Sequence, residues 1–493
     1  MESVARKTVS HATIYAVGTV VRYSASFLML PIYTHYLLPR DYGVVELLQM
    51  IVDLMAIFTG MRVGEAIMRY YYKFADVRER ARVVGTALAL TGSFNLVAML
   101  AVIALAEPLS AALFGSIDYA RLLALFSVNL LVVGASEVVM TFIVAQQRPV
   151  IYMGLSLLRM FMQLGLNILF LVGMGLKVEG VVYASLISSL TYMAILLGYA
   201  GYHGAYRMSG DMARVLMKFS WPMVIAGFGE FYLTFGDRYV LRLFHGLAEV
   251  GIYSLGYKFG FLLIVFGWRP FHLIWNSVRY QISERPDAKD VYQRVFVVAS
   301  LSVVTCALML AMLCDEVLDV MSATAFHPAA RVAPVILIAY VIQAWTQFCR
   351  FGLLLKERTV HITWATAIGA GVTTLGFFLL IPRFGSMGAA WGTVAAFSAR
   401  LWWVQRQAEH AFRMDLPWRR VAVICALAIG MYGLSNFAPH ELIAAVAVQC
   451  GLGLVFVVGV WFSGLVRARE KALVLRAARD LVPLQWLRGA RAT

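Results

Sequence analysis

The stretch LIAAVAVQCGLGLVFVVGVWFSGL, Leu442–Leu465, runs for 24 residues without a charged side chain. A helix needs about 20 mostly apolar residues to cross the hydrocarbon layer. A soluble helix of this length keeps a polar face, and this one has none. The same test, moved outward from this stretch, places spans near 12–38, 42–68, 83–106, 119–145, 150–173 and 178–201. A second set falls near 217–241, 249–275, 294–313, 332–355, 360–381 and 386–404, and the pair 420–437 and 441–465 closes the series. The reading is an all-α polytopic membrane protein of about 14 transmembrane helices.

Composition agrees. Of 493 residues, 61% are hydrophobic and 14% charged, and the mean hydropathy is +0.76. Soluble domains run near 45–50% apolar and about 25% charged. Lipid removes the need for a polar surface, so a length that suits roughly three soluble domains is better read as one bundle. Arg6 and Lys7 precede the apolar run 12–38, which is too long for a signal-peptide core and lacks a small-residue cleavage site. Cys306, Cys314, Cys349, Cys425 and Cys450 lie in or beside apolar spans without metal-type spacing, so they read as small core residues.

The net charge of +15 would suit nucleic acid, but the positions of the charges argue against such a partner. Of 42 Lys and Arg, 27 fall in the N-terminus, the tail and alternate connections (73–82, 148, 207–218, 279–294, 356–358 and 406–420). Only six lie on the opposite side, at Arg40, Arg121, Lys177, Arg242, Arg331 and Arg383. Basic loops stay cytoplasmic, so both termini are expected there, with an even number of spans. The tail, about 467–488, reads as a basic amphipathic helix at the interface with membrane lipid.

An internal repeat joins two halves at an offset of 208 positions. Val178-Glu-Gly-Val-Val-Tyr-Ala-Ser185 aligns with Ser386-Met-Gly-Ala-Ala-Trp-Gly-Thr393, and Tyr42-Gly-Val-Val-Glu46 with Val250-Gly-Ile-Tyr-Ser254. Each half holds six spans, so the repeat is parallel, about an axis along the membrane normal. The expected organisation is two pseudo-symmetric six-helix lobes, 1–205 and 206–412, an added helix pair at 413–466, and the basic tail 467–493. Two related lobes with a site between them is a common transporter plan.

Nine Lys and Arg fall inside spans. Ionisable groups at that depth cost several kcal/mol on insertion scales and usually face a bundle interior or a wet cavity. The first span carries Arg22. The second carries Glu46 and Asp53, then Arg62, Glu65 and Arg69. The seventh carries Glu230, Asp237 and Arg238, and the eighth Lys258 and Arg269. These are equivalent spans of the two halves. Arg22 sits roughly 15 Å into its span at helical rise. Glu46 and Asp53, seven apart, share a helix face. Arg350 and Arg400, near cytoplasmic ends, are expected to snorkel. A cationic interior suits an anionic ligand, since Arg holds phosphate bidentately and stays charged; structural ion pairing is the plainer alternative. Tyr70, Tyr71 and Tyr72 can stack on sugars, although Tyr gathers at membrane interfaces anyway.

No Walker A pattern, dinucleotide fingerprint or His-Glu-x-x-His occurs, and no loop is long enough for an ATPase. A cofactor-free, non-enzymatic protein is expected.

Two stretches resemble a known family. Leu30-Pro-Ile-Tyr-Thr-His-Tyr-Leu-Leu-Pro-Arg-Asp-Tyr-Gly-Val-Val-Glu46 is similar to the start of the polysaccharide-exporting flippases, Wzx-type O-antigen flippases among them. Gly236-Asp-Arg-Tyr-Val-Leu-Arg-Leu-Phe-His-Gly-Leu-Ala-Glu-Val-Gly-Ile-Tyr253 resembles that family's Asp-Arg, loop and Val-Gly-x-Tyr pattern. The superfamily also holds the peptidoglycan-precursor flippase and drug or cation antiporters. The resemblance implies a two-lobed bundle of the bacterial inner membrane that rocks between inward-open and outward-open states. Its cargo would be an oligosaccharide on undecaprenyl diphosphate, with other polysaccharide-assembly proteins as further partners. In that reading Arg22, Arg62, Arg238, Lys258 and Arg269 bind the diphosphate, while Glu46, Asp53, Glu230 and Asp237 are candidates for H+ or Na+ coupling.

Three other readings compete. A cation antiporter wants an acidic cavity. A membrane glycosyltransferase wants an external acid, for which Asp118, Asp315 and Glu316 are the obvious residues. A scramblase would tolerate neutralised carboxylates. The cationic-interior reading predicts that Arg22→Glu abolishes glycan export while the protein stays inserted, measured by surface glycan and membrane fractionation. Normal export by that variant would remove the reading.

Overall fold

The computed structural model describes residues 27, 29–60, 63–74, 76–205, 207–439 and 441–471. Among them there is no β-strand. The helices in order are α1 (Leu30–Tyr36), α2 (Pro39–Gly60), α3 (Val63–Tyr71), α4 (Val77–Ala104), α5 (Ala106–Phe114), α6 (Ala120–Ser127), α7 (Asn129–Ala145), α8 (Pro149–Asn167) and α9 (Val178–Tyr202). Next come α10 (Gly210–His245), α11 (Leu247–Leu262), α12 (Arg269–Ser283), α13 (Ala288–Met312), α14 (Cys314–Met321), α15 (Ala329–Leu355), α16 (Val360–Ala411), α17 (Trp418–Ser435) and α18 (Leu442–Phe462). Arg22, Arg62 and the tail beyond residue 471 lie outside the described residues, as does most of the expected first span.

Among the described residues, ten helical segments are long and apolar enough to cross a membrane. They carry eleven of the expected spans, because α16 is one 52-residue element holding two of them. It bends at Gly385, whose φ of 55° and ψ of −132° lie outside helical space. Glycine takes that conformation without a Cβ penalty. The bend is held by His245 Nε2 against the Ile381 carbonyl at 2.7 Å, and by Ser386 N–H donating to Glu249 Oε1 at 3.3 Å. Two further long helices, α2 (22 residues) and α10 (36 residues), occupy the expected second and seventh spans. On α18 the side chains of Ile443, Leu454 and Phe462 are 85%, 65% and 77% exposed. Such apolar surface belongs in lipid, so the protein is a multi-pass membrane protein.

The chain packs as two compact units. Within the described residues the first is built from the chain up to Leu255, with 321–329 and 373–392; the second takes 256–320, 330–372 and the chain from Thr393 onward. In the first unit α4 packs on α7, and α7 on α9. Their core includes Val84, Val138, Phe142, Leu196 and Leu216, and Tyr71 is buried in it. In the second unit α13 packs on α17 and α18. The start of the tail is fixed there by Arg420, which donates to Glu470 Oε1 at 3.0 Å.

The crossing of α2 with α11 inside the first unit obeys the 208-residue offset. A Cβ on Gly43 would overlap the carbonyl oxygen of Leu247, and a Cβ on Gly251 would overlap that of Pro39. The backbone nitrogens of the two glycines are also close, Gly251 N at 3.2 Å and Gly43 N at 3.1 Å from the same built positions. Position 43 faces 247 and position 39 faces 251, and each helix offers the same pair shifted by 208. That reciprocity is the mark of a two-fold contact. The glycine hydrogens point at carbonyl oxygens, the geometry of a Cα–H···O contact, and only glycine lets two backbones approach this closely.

Candidate functional site

Five of the expected site residues lie in the first unit. Asp237 and Arg238, near the end of α10, are 0% and 1% exposed. Arg238 Nη1 lies 3.1 Å from Asp237 Oδ1, and the Arg238 backbone N–H donates to the same oxygen at 2.9 Å. Tyr253 Oη donates to Asp237 Oδ2. Arg238 Nη1 also donates to the Thr234 carbonyl at 3.0 Å, and its Nε to Ser254 Oγ at 3.2 Å. The guanidinium stands over the ring of Phe235 at 4.8 Å. A buried charge is tolerable only when paired and hydrogen-bonded, and this pair meets both conditions. It ties α10 to Tyr253 and Ser254 of α11, two and three residues beyond the Gly251 contact.

Asp53, partly buried on α2, accepts from Gln49 Nε2 at 2.8 Å. The charges of Glu46 and Arg238 both act on it. Asp53 thus feels the charges of its α2 neighbour Glu46 and of Arg238, the partner of Asp237. Glu230 is partly buried two turns before Asp237 on α10.

Lys258 and Arg269 lie in the second unit, eleven positions apart. On an unbroken α-helix that spacing shares one face. Between them Leu263–Trp268 is a π-helical turn. The extra residue of a π turn rotates the next helical segment by about 100°, so Arg269 leaves the face of Lys258. It instead acts on His272 together with Arg279 and Arg350. The ring of His272 stacks near Trp268, with centroids 5.6 Å apart, and its Nδ1 pairs with Asn276 Nδ2 at 3.1 Å. Arg279 stands over Phe351 at 5.1 Å, and Trp268 Nε1 donates to Gln347 Oε1 at 2.6 Å. The charges of three arginines thus act on one histidine within the second unit.

Residue depth alone sets Arg350 and Arg400 aside as snorkelling side chains. Arg350 instead belongs to the cationic group around His272. Arg400 is 1% exposed and donates to Gln343 at 3.5 Å. Their partners sit on other helices, which one-dimensional depth does not reveal. Tyr71 packs its ring against Phe142 at 5.9 Å, and Tyr72 donates to the Ala145 carbonyl at 2.8 Å. Both are thus engaged in packing. The five cysteines are free thiols, and no set of metal-ligating side chains occurs among the described residues.

The described residues form a helical membrane bundle with charged groups held inside its spans. Residues 34–331, more than half the chain, match the family described as polysaccharide biosynthesis protein, and the chain belongs to that family. No curated protein matches the sequence. Among solved structures, the lipid II flippase MurJ in an inward closed conformation aligns with a TM-score of 0.71 at 11% identity, covering 92% of this chain and 100% of that one. An inward-facing multidrug resistance MATE family transporter of the MOP superfamily aligns at 0.64 with 13% identity, over 81% and 95% of the two chains. A MOP superfamily transporter from Pyrococcus furiosus, described by a reverse polarity of its binding pocket that suggests a different function, aligns at 0.54 with 13% identity over 81% and 96%. The shared property is the fold.

The buried pair yields a stability prediction. Asp237→Ala leaves Arg238 buried without its carboxylate and should cost about 3–5 kcal/mol. Tyr253→Phe, which removes one hydrogen bond to the charged group, should cost about 1.5–3 kcal/mol. Thermal unfolding of the purified protein reads both, and an unshifted midpoint for Asp237→Ala would show that the pair does not hold α10 to α11.

Proposed function

We propose that the protein is a flippase that carries an undecaprenyl-diphosphate-linked oligosaccharide across the bacterial cytoplasmic membrane, with both termini cytoplasmic. The observation that carries this reading is the gathering of Arg269, Arg279 and Arg350 around His272, inside a chain of a polysaccharide-biosynthesis family. A diphosphate is the anion such a group accommodates. The lipid tail stays in the bilayer while the diphosphate meets this arginine group, and Arg22, Arg62 and Lys258 are the further candidates the sequence offers for that role.

Alternating access in this reading uses the α2–α11 crossing as the closure of the outer side, where the few basic connections lie. The two helices part there in the outward-open state and meet again through Gly43 and Gly251. Protonation of the carboxylate group Glu46, Asp53, Glu230 and Asp237 is the coupling step; Na+ is the alternative ion. Loss of the Asp237 charge removes the carboxylate that Arg238 pairs with, so ion binding weakens the tie between α10 and α11.

A second reading, a multidrug or cation antiporter, is favoured by that same carboxylate group and by the MATE-like fold. The Pyrococcus furiosus protein, described by a reverse polarity of its binding pocket that suggests a different function, supports the view that one fold serves more than one function. Deletion of the gene, with mass spectrometry of undecaprenyl-linked glycans, separates the two. The flippase reading predicts accumulation of one complete, unpolymerised repeat on the cytoplasmic side. An unchanged lipid-linked pool with altered sensitivity to cationic drugs would replace it with the antiporter.

A further inference from the structure

A cavity of about 440 Å³ opens in the second unit between α14 and the turn that joins α17 to α18. Asp315, Glu316 and Asp319 of α14 line one wall, and Ser435, Asn436 and Gln449 line the other. It lies on the side with few basic connections and is separate from the arginine group around His272. Gln449 is 4% exposed, and its Nε2 donates to Glu316 Oε1 at 2.5 Å. That bond fixes the direction of both side chains. The remaining oxygens, Gln449 Oε1 and Glu316 Oε2, are buried and have no hydrogen-bond partner. Two acceptors from two helices, lining one cavity, call for a donor. Leaving a buried acceptor unmade costs about 1–3 kcal/mol.

The chemistry of the missing donor is set by the walls. Asp315 and Asp319 have interactions of their own but add negative charge at the mouth. A positive donor is therefore favoured over a neutral one. Val320 in the lining is 61% exposed, and Phe437 and Ile443, each next in sequence to a lining residue, are 86% and 85% exposed. An acidic pocket with exposed apolar neighbours at a membrane interface fits an amphiphile with a cationic head.

We propose that this cavity binds a primary ammonium group, as carried by the headgroup of an aminophospholipid. The N–H donors matter as much as the charge. A trimethylated headgroup brings the same charge but no donor for Gln449 Oε1 or Glu316 Oε2, so the site should discriminate between them.

The test is native mass spectrometry of the purified full-length protein in mixed micelles. The probes are phosphatidylethanolamine, phosphatidylcholine and phosphatidylglycerol with identical acyl chains. Retention of phosphatidylethanolamine over phosphatidylcholine by about tenfold is expected, the worth of one charge-assisted hydrogen bond. Gln449→Leu, an apolar replacement in a buried position, should erase the preference, as should Asp315→Asn with Glu316→Gln. Ethanolamine competition on the unaltered protein serves if a variant does not fold, and displacement of the bound lipid supports the site. Ethanolamine binding without lipid selectivity also supports an ammonium site and assigns it to a soluble amine. Equal retention of the ethanolamine and choline lipids, with no displacement by ethanolamine, would overturn the proposal.

Discussion

Two helices that must touch through their backbones can carry nothing larger than a hydrogen at the point of contact. The α2–α11 crossing is held to that rule at both ends, by Gly43 against Leu247 and by Gly251 against Pro39. Such a contact gains little from side-chain burial, because in lipid an apolar side chain is as well solvated outside the bundle as within it. It offers instead close approach, weak Cα–H···O contacts and a surface smooth enough to separate and re-form. The Asp237–Arg238 pair stands beside it, bonded to Tyr253 and Ser254 just past Gly251. A weak, reversible contact thus adjoins a strong electrostatic one. The strong one keeps α10 and α11 together, and the weak one lets α11 and α2 meet.

Charge inside the spans is the second constraint. A carboxylate or guanidinium away from water needs a partner, and each unit answers differently. The first unit mixes signs, with Glu46, Asp53 and Asp237 around Arg238. In the second, several cationic charges act on His272, and Arg279 stands over the ring of Phe351. The mixed group suits ion coupling and the cationic group suits an anion. The proposed flippase needs both.

Much of the fold is legible in the sequence because lipid imposes a one-dimensional rule. The uncharged run after Glu441 is a span whatever it packs against, and the same holds for the other long apolar helices. The 208-residue repeat is also legible, since Tyr42-Gly43 and Val250-Gly251 keep the small residues that the crossing demands. The candidate site is less so. The π turn at Leu263–Trp268 has no marker in its residues, yet it decides that Arg269 joins Arg279 and Arg350 rather than Lys258. The interior position of Arg400 depends on Gln343, 57 positions away. Adjacent charges at Asp237 and Arg238 read equally well as two functional groups or one ion pair, and only the positions of Tyr253 and Ser254 decide. The acids Asp315 and Glu316 stand out in a short loop, but Gln449, which completes their cavity, looks in sequence like an ordinary polar interruption of a span.

Opening and closing of the α2–α11 crossing is the motion that alternating access requires of the proposed flippase. Spin labels at Arg40→Cys and Ala248→Cys, exposed positions beside the two contacts and related by the same offset, report it directly in a background without the native cysteines. Pulsed dipolar spectroscopy of the protein in lipid nanodiscs should give one short distance. Gly43→Ala, which wedges the contact, should move the population to a longer one. An identical distance distribution in both proteins would contradict the account.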